Sequence, residues 1–119
     1  MKLDQIVNLL GAEVMGGRDK QDIDVEMGCG SDLMSDVLSY AKPGAMLFTG
    51  LNTVQVIYTA ELADIKVVCF VRGKRPSDDT VRIAESRGIV VLRTDLSMFE
   101  ACGKAYELGL RGCQANEKK

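Results

Sequence analysis

Side chains that can bind a small anion collect in four short polar segments, each of which follows an apolar run. The segments are residues 28–32, 49–53, 72–75 and 93–95. The third segment carries Arg72, Lys74 and Arg75, and the fourth begins with Arg93. Glycine turns expose backbone N–H groups, and cations neutralise phosphate charge. The segments therefore predict a site for a nucleotide or another phosphate-bearing small molecule.

The predicted ligand-binding residues are those that offer an open backbone, a hydroxyl, an amide or a charge. They are Gly28, Gly30, Ser31, Asp32, Thr49, Gly50, Asn52, Arg72, Lys74, Arg75, Thr94 and Asp95. The alternative is a purely structural role, because the same residue types make turns and begin helices in any protein. The pair Gly28 and Gly30 matches only part of a dinucleotide-binding fingerprint, whose third glycine position is occupied here by Leu33.

Histidine, the commonest general base and metal ligand near neutral pH, does not occur in the 119 residues. Its absence removes Ser-His-Asp and Cys-His catalysis, so we predict no catalytic residues and no enzymatic activity. The four cysteines include no C-x-x-C pair, which is the usual spacing of zinc and iron–sulfur ligands. No metal site and no cofactor are therefore predicted.

Cys29 stands between two glycines and just before a predicted helix. The N-terminus of a helix lowers the pKa of a thiol, so a redox role for Cys29 is one hypothesis. The alternative is that a small residue is needed in a tight turn. Cys69 and Cys102 belong to apolar patterns and are predicted core residues, whereas Cys113 belongs to the tail.

The elements that must position these segments alternate along the chain. Hydrophobic periodicity predicts strands at 12–15, 23–27, 45–48, 65–71 and 89–92, and helices at 3–10, 31–41, 53–63, 77–88 and 94–109. Strand–turn–helix units spaced ~20 residues apart are typical of an α/β fold. We predict three layers, with a mostly parallel sheet of about 4–5 strands and helices on both faces. The turns would then lie along one edge of the sheet.

Length and composition predict one domain at residues 1–110 and a flexible tail at residues 111–119. The net charge of −2 favours neither nucleic acid nor an anionic membrane as a partner. No apolar run approaches the ~20 residues that span a bilayer, and the first residues lack the pattern of a signal peptide. We therefore expect a cytoplasmic protein with free thiols.

Three segments together resemble the DRTGG domain family, over about residues 2–110. They are 28–38 (G-C-G-S-D-L-M-S-D-V-L), the strand at 65–71 with Arg72, Gly73 and Lys74 behind it, and 94–100 (T-D-L-S-M-F-E). The resemblance implies a fold similar to the non-catalytic N-terminal domain of HPr kinase/phosphorylase. It also implies a regulatory module, since relatives stand beside nucleotide-sensing CBS domains or, alone, near iron hydrogenase genes of anaerobes. The string D-R-T-G-G does not occur here, so no role of that motif is carried over.

Three functions stay open on the sequence. The leading hypothesis is a ligand-sensing regulatory domain whose site lies at the turns. The second is a docking or assembly module that forms a homodimer or serves a redox or hydrogenase system, because the predicted helix at 53–63 has apolar residues nearly all round. The third is a thiol-based redox protein that acts through Cys29.

Overall fold

The structure, a computed structural model, describes residues 1–20 and 22–113. Its helices are α1 (Leu3–Leu10), α2 (Met34–Tyr40), α3 (Val54–Leu62), α4 (Asp78–Ser86) and α5 (Met98–Leu108), with a 3₁₀ turn at Arg18–Lys20. Its strands are β1 (Glu13–Gly16), β2 (Met27–Gly30), β3 (Met46–Thr49), β4 (Val67–Phe70), β5 (Val90–Arg93) and β6 (Arg111–Gly112). The prediction of an α/β fold is confirmed.

The six strands form one sheet in the order β1-β5-β4-β3-β2-β6. β1 runs antiparallel to β5, and every other neighbouring pair is parallel. The sheet is therefore mostly parallel, as predicted, with β6 as a strand that the prediction did not contain. Strands β2 to β5 end on the same side of the sheet, which we call the carboxyl edge, and the turns that follow them begin there.

Helices cover both faces of the sheet. Residues of α1 and α5 pack with Val67 and Cys69 on one face, whereas α2, α3 and α4 pack with Val68 and Phe70 on the other. All four of these β4 residues are at most 1% exposed. Alternate residues of a strand point to opposite faces, so a strand that is covered on both sides is continuously apolar. This arrangement confirms the three predicted layers.

The ends of the helices follow from local sequence. The hydroxyls of Ser77 and Ser97 accept hydrogen bonds from the third residues of α4 and α5, at 3.1 and 3.2 Å. Gly11 ends α1 in the left-handed region, with φ 58°. None of the helices in the described residues is long and apolar enough to cross a membrane.

β2 begins later than predicted, at Met27 instead of residue 23. Ile23 and Val25 alternate with polar residues as a strand does, but they pair with the first residues of the chain. The N–H of Val25 donates to the carbonyl of Met1 at 2.8 Å, and the N–H of Leu3 donates to the carbonyl of Ile23 at 3.0 Å. The strand that enters the sheet therefore begins after these residues, at Met27, so that Gly28 to Gly30 form a strand and not a turn.

Three further boundaries differ from the prediction by three or more residues or by a change of element. α2 begins at Met34 with Leu33 as its N-cap, and not at residue 31. α5 begins at Met98 with Ser97 as its N-cap, so Thr94 and Asp95 precede the helix instead of opening it. Arg111 and Gly112, predicted to belong to a flexible tail, form β6 alongside β2. Residues 114–119 of that predicted tail lie outside the described residues.

Candidate functional site

The carboxyl edge brings together the turns that follow β2, β3, β4 and β5. The hydrogen bonds of the sheet continue past the strands, because the N–H of Ser31 donates to the carbonyl of Phe48 at 3.0 Å. The N–H of Val71 likewise donates to the carbonyl of Thr49, also at 3.0 Å. The starts of the turns are thus held in register, as a parallel sheet requires.

The Asp32 carboxylate ties the turn after β2 to the turn after β3. Its Oδ1 accepts hydrogen bonds from the backbone N–H of Gly50 at 2.6 Å and from the hydroxyl of Thr49 at 3.2 Å. Thr49 and Gly50 are both buried, so water reaches their donor groups poorly and the carboxylate supplies the acceptor instead. The N–H of Gly50, predicted from the sequence to bind an anion, is therefore occupied by an anion of the protein itself.

The turn after β4 has an unusual backbone. Arg72 and Gly73 both lie in the left-handed region, with φ 56° and 69°. The N–H of Lys74 donates to the carbonyl of Val71 at 3.2 Å, and the N–H of Arg72 donates to the carbonyl of Leu96 at 2.7 Å. A left-handed arginine is strained, and such strain is often found at functional positions. The surrounding hydrogen bonds hold Arg72 in place.

The guanidinium of Arg72 lies beside Gly50 and faces Asp32. Its Nη2 is 4.0 Å from Asp32 Oδ2, and it fills the space that a Cβ at Gly50 would occupy. The side chain of Arg72 is still 52% exposed. Lys74 is also exposed, and it makes no ion pair with the residues that the structure describes. Two exposed cations thus belong to the turn after β4, and one of them, Arg72, lies against the glycine turn.

The other cations of the carboxyl edge lie closer to carboxylates than Arg72 does. Arg75 Nη2 and Arg93 Nη1 lie 3.2 and 3.5 Å from Oε1 of Glu13. Arg93 Nη2 also donates to Asp95 at 3.0 Å, and Asn52 Nδ2 donates to the carbonyl of Arg75 at 3.0 Å. Glu13 was not among the predicted site residues, because only the antiparallel pairing of β1 with β5 brings it opposite Arg93.

Three of the predicted ligand-binding residues have packing roles. Thr94 is 1% exposed, and its hydroxyl donates to the carbonyl of Leu10 at 2.8 Å, which ties α1 to the edge. Gly28 and Gly30 lie within β2, where a Cβ at Gly30 would lie 2.8 Å from the Sγ of Cys102. The prediction that both glycines belong to a turn is therefore wrong. The missing side chain of Gly30 allows α5 to approach the sheet, whereas a Cβ at Gly28 would lie 3.2 Å from Leu110.

Cys29 also lies in β2, four residues before the N-cap of α2. Burial raises the pKa of its thiol, and the nearby Cys113, Cys102 and Asp36 raise it further. The prediction of a helix terminus that lowers the pKa of Cys29 is therefore wrong.

A concave region that the sequence analysis missed lies between β2, β6 and α5. It has a volume of about 170 Å³, and its walls include Gly28, Gly30, Phe48, Tyr106 and Arg111. The guanidinium of Arg111 stands over the ring of Tyr106, 4.4 Å from its centroid. The Gly-x-Gly spacing could have indicated this region, because alternate residues of a strand face the same side and two glycines there leave open space.

The chemistry of the carboxyl edge suits an anion. Among the described residues, no three Cys, Asp or Glu side chains are arranged to hold a metal ion. Asp32 is engaged by Gly50 and Thr49, whereas Arg72 and Lys74 are accessible cations. Charge-assisted hydrogen bonds from such cations are the usual means of binding phosphate.

Comparison with known proteins gives this chain a family. The family model described as the DRTGG domain matches residues 5–107, most of the sequence. The chain belongs to the DRTGG domain family. The resemblance predicted from three segments is thereby confirmed, and the match includes every turn of the carboxyl edge. Among curated protein sequences, none matches this DRTGG domain.

A solved structure has a fold similar to that of this DRTGG domain. It is the crystal structure of the CBS and DRTGG domains of the regulatory region of Clostridium perfringens pyrophosphatase, complexed with activator, diadenosine tetraphosphate. The TM-score is 0.69 at 17% sequence identity, with 86% of this chain and 44% of that chain covered. This DRTGG domain thus spans less than half of the pyrophosphatase chain, and the likeness shows the fold.

Proposed function

We propose that this DRTGG domain is a non-catalytic regulatory module that binds a nucleotide or another phosphate-bearing molecule at the carboxyl edge. The observation that carries the proposal is the exposed guanidinium of Arg72 beside the turn at Gly50, with the exposed Lys74 two residues further along the same loop. The left-handed backbone of Arg72 supports it, because a protein retains such strain where a side chain must be presented in one position.

In the proposed site, the cations bind the ligand and the backbone N–H groups do not. Asp32 already accepts the N–H of Gly50, so a phosphate in that position would meet a negative charge. Arg75 is paired with Glu13 and contributes less than the sequence analysis expected. The proposed ligand therefore contacts Arg72 and Lys74 through phosphate oxygens. A guanidinium and an ammonium together suit a polyphosphate better than a single carboxylate.

The similar pyrophosphatase structure supports the class of ligand. That regulatory region is complexed with diadenosine tetraphosphate, an adenine nucleotide with a long phosphate chain. At 17% identity, the likeness does not extend to individual residues. We accordingly include diadenosine polyphosphates, adenine nucleotides and phosphorylated metabolites in the first panel of ligands.

Thermal unfolding with this panel tests the proposal. A ligand at 100 times its Kd raises the free energy of unfolding by about 2.7 kcal/mol, which gives a Tm shift of several degrees in a domain of this size. The double variant Arg72→Gly/Lys74→Ala should lose the shift and stay folded. The matched control Arg82→Ala/Lys104→Ala removes the same charge from the exposed faces of α4 and α5 and should keep the shift.

Either of two results would contradict the proposed site. A flat panel would remove the evidence for a phosphate-bearing ligand. Equal ligand-induced shifts in the double variant and the wild type would place the ligand elsewhere, and the cavity at Tyr106 and Arg111 would be the next region to mutate.

A docking module that forms a homodimer is the second candidate function. Phe99 is 87% exposed and Tyr106 is 59% exposed, and their seven-residue spacing places both on one side of α5. Gly103 lies between them in the sequence, and a Cβ at this position would meet no heavy atom within 4 Å. Sedimentation of the wild type should show a dimer that Phe99→Asp dissociates. A strict monomer at high concentration would exclude self-association.

The setting of this function is also a proposal. We propose the cytoplasm, and a redox or hydrogenase system as the partner that the family resemblance implies. The described residues hold four free cysteines, which suits a reducing compartment. Co-purification with a tagged domain from its own cells would test the partner, with the Phe99→Asp variant as the control.

A further inference from the structure

Two cysteines from distant parts of the sequence lie on the β2–β6 side of the sheet. β2 and β6 are parallel, with Met27 opposite Arg111 and Gly28 opposite Gly112. The next residues along the two segments are Cys29 and Cys113. Extending this register by one residue places Cys113 beside Cys29. Neighbouring strands lie ~4.8 Å apart, which is within the ~4.4–6.8 Å Cα separation that a disulfide requires.

Both thiols lie on the α2 side of the sheet. Cys29 packs against the hydrophobic cluster that α2, α3 and α4 form, together with Ala41. The Sγ of Cys113 accepts a hydrogen bond from the N–H of Lys42 at 3.4 Å, directly after Ala41. Cys102 packs instead against the cluster of α1 and α5, so the sheet separates it from this pair.

We propose that Cys29 and Cys113 form a reversible intramolecular disulfide when a small oxidised thiol such as glutathione disulfide is present. The Cys113 thiolate, next to the edge strand, attacks one sulfur of glutathione disulfide and releases one glutathione thiolate. The Cys29 thiolate then attacks the Sγ of Cys113, forms the S–S bond and releases the second glutathione thiolate. The two protein thiols lose two protons and two electrons, and glutathione disulfide takes them up.

The bond would fix the last strand to the sheet. β6 has two residues, and its pairing with β2 holds Arg111 and Gly112 at the edge of the sheet. Arg111 and Gly112 also form one wall of the cavity at Tyr106. Oxidation would therefore fix this wall in position against β2. In the reduced protein, only the few hydrogen bonds of β6 would hold the wall there. The cavity becomes the part of the domain that responds to thiol redox state.

Peptide mapping of the full chain tests the disulfide. The protein is equilibrated in buffers that range from reduced to oxidised glutathione, free thiols are alkylated, and an unreduced digest is analysed by mass spectrometry. We expect a loss of about 2 Da and a peptide with Cys29 joined to a peptide with Cys113. Cys69 and Cys102 should be alkylated after denaturation. The N–H of Arg111 donates to the carbonyl of Glu26 at 3.2 Å and exchanges when β6 opens locally. In the oxidised protein, its hydrogen exchange should slow by about tenfold or more.

Variants separate this disulfide from other thiol chemistry. Cys102→Ser should keep the cross-link, and Cys113→Ser should abolish it. The proposal is overturned by four alkylated thiols at the oxidising end, by glutathione adducts without a cross-link, or by a bond through Cys69 or Cys102. Because the wild-type map is decisive by itself, a poorly folded variant does not weaken the test.

Discussion

Oδ1 of Asp32 lies 2.6 Å from the backbone nitrogen of Gly50, although the two residues belong to turns that follow different strands. Asp32 Oδ2 faces Arg72 at 4.0 Å, so one carboxylate holds a buried N–H with one oxygen and approaches an exposed cation with the other. The carboxyl edge is in this way already ordered around an anion. A ligand phosphate would join this arrangement through the cations that Asp32 leaves accessible.

Replacing Asp32 by alanine should destabilise the domain. The N–H of Gly50 and the hydroxyl of Thr49 would lose their acceptor, which costs about 1–3 kcal/mol for buried polar groups. Asp32→Asn keeps a carbonyl oxygen and should lose less. Urea unfolding measures both, with Asp36→Ala in the first turn of α2 as a control that should lose less than ~1 kcal/mol. Equal midpoints for Asp32→Ala and the control would show that the tie contributes nothing.

Arg72→Gly should be more stable than Arg72→Ala. The left-handed backbone of Arg72 costs about 1–2 kcal/mol for any residue with a Cβ, and glycine escapes this cost. The lost ion pair with Asp32 is exposed and contributes at most ~1 kcal/mol. Guanidinium chloride unfolding of the two variants gives the difference directly.

A helical site provides the control for this comparison. At Arg82, in the exposed middle of α4, the order should reverse, with glycine about 1 kcal/mol less stable than alanine. If glycine were the weaker residue at both positions, the strain at Arg72 would have no energetic effect.

Much of the fold was predictable because local patterns and packing agree. β4 is continuously apolar and central, and α4 has its N-cap at Ser77, as predicted. The helix α3 shows where the same signal has another cause. Its nearly uniform apolar character predicted a docking surface, but most of this character serves packing, because α3 lies between α2 and α4 and on the sheet. Tyr58 and Leu62 stay exposed. A helix with neighbours on three sides needs apolar residues on three sides.

The location of the candidate site was predictable from the sequence, but the full set of residues that form it was not. The turns at Asp32, Gly50 and Arg72 meet because parallel strands share an edge, which the strand–helix rhythm indicates. The contribution of Glu13 depends on β1 pairing antiparallel with β5, and the β2 boundary depends on residues 23–25 pairing with the chain's start. Both are contacts between distant residues, which periodicity within a short window does not contain.

Gly30→Ala should destabilise the contact between β2 and α5. A Cβ at this position would lie 2.8 Å from the Sγ of Cys102 and 3.2 Å from the Sδ of Met98, so overpacking should cost about 1–3 kcal/mol. In a Cys102→Ala background the cost should fall by at least ~0.5 kcal/mol, because the clashing atom is gone. Denaturant unfolding of the four proteins completes the cycle.

Gly103→Ala is the matched control for this cycle. It lies on the exposed side of α5 with nothing near its Cβ position and should stabilise the domain by about 0.5–1 kcal/mol. Additive effects of Gly30→Ala and Cys102→Ala would mean that the two residues do not limit the approach of the helix.

The core thiol of Cys69 should make the domain less stable at alkaline pH. Burial raises the pKa of Cys69 from 9.0 to about 12, so the unfolded chain releases this proton at lower pH than the folded domain does. The free energy of unfolding should therefore fall by about 1.4 kcal/mol per pH unit between pH 9 and pH 12 through this group. Cys69→Ala lacks this contribution. The difference in the free energy of unfolding between the wild type and Cys69→Ala should therefore be smaller above pH 9 than at pH 7, under reducing conditions. Val68→Ala, in the same buried strand, should lose the same amount at every pH, and parallel pH curves for wild type and Cys69→Ala would refute the linkage.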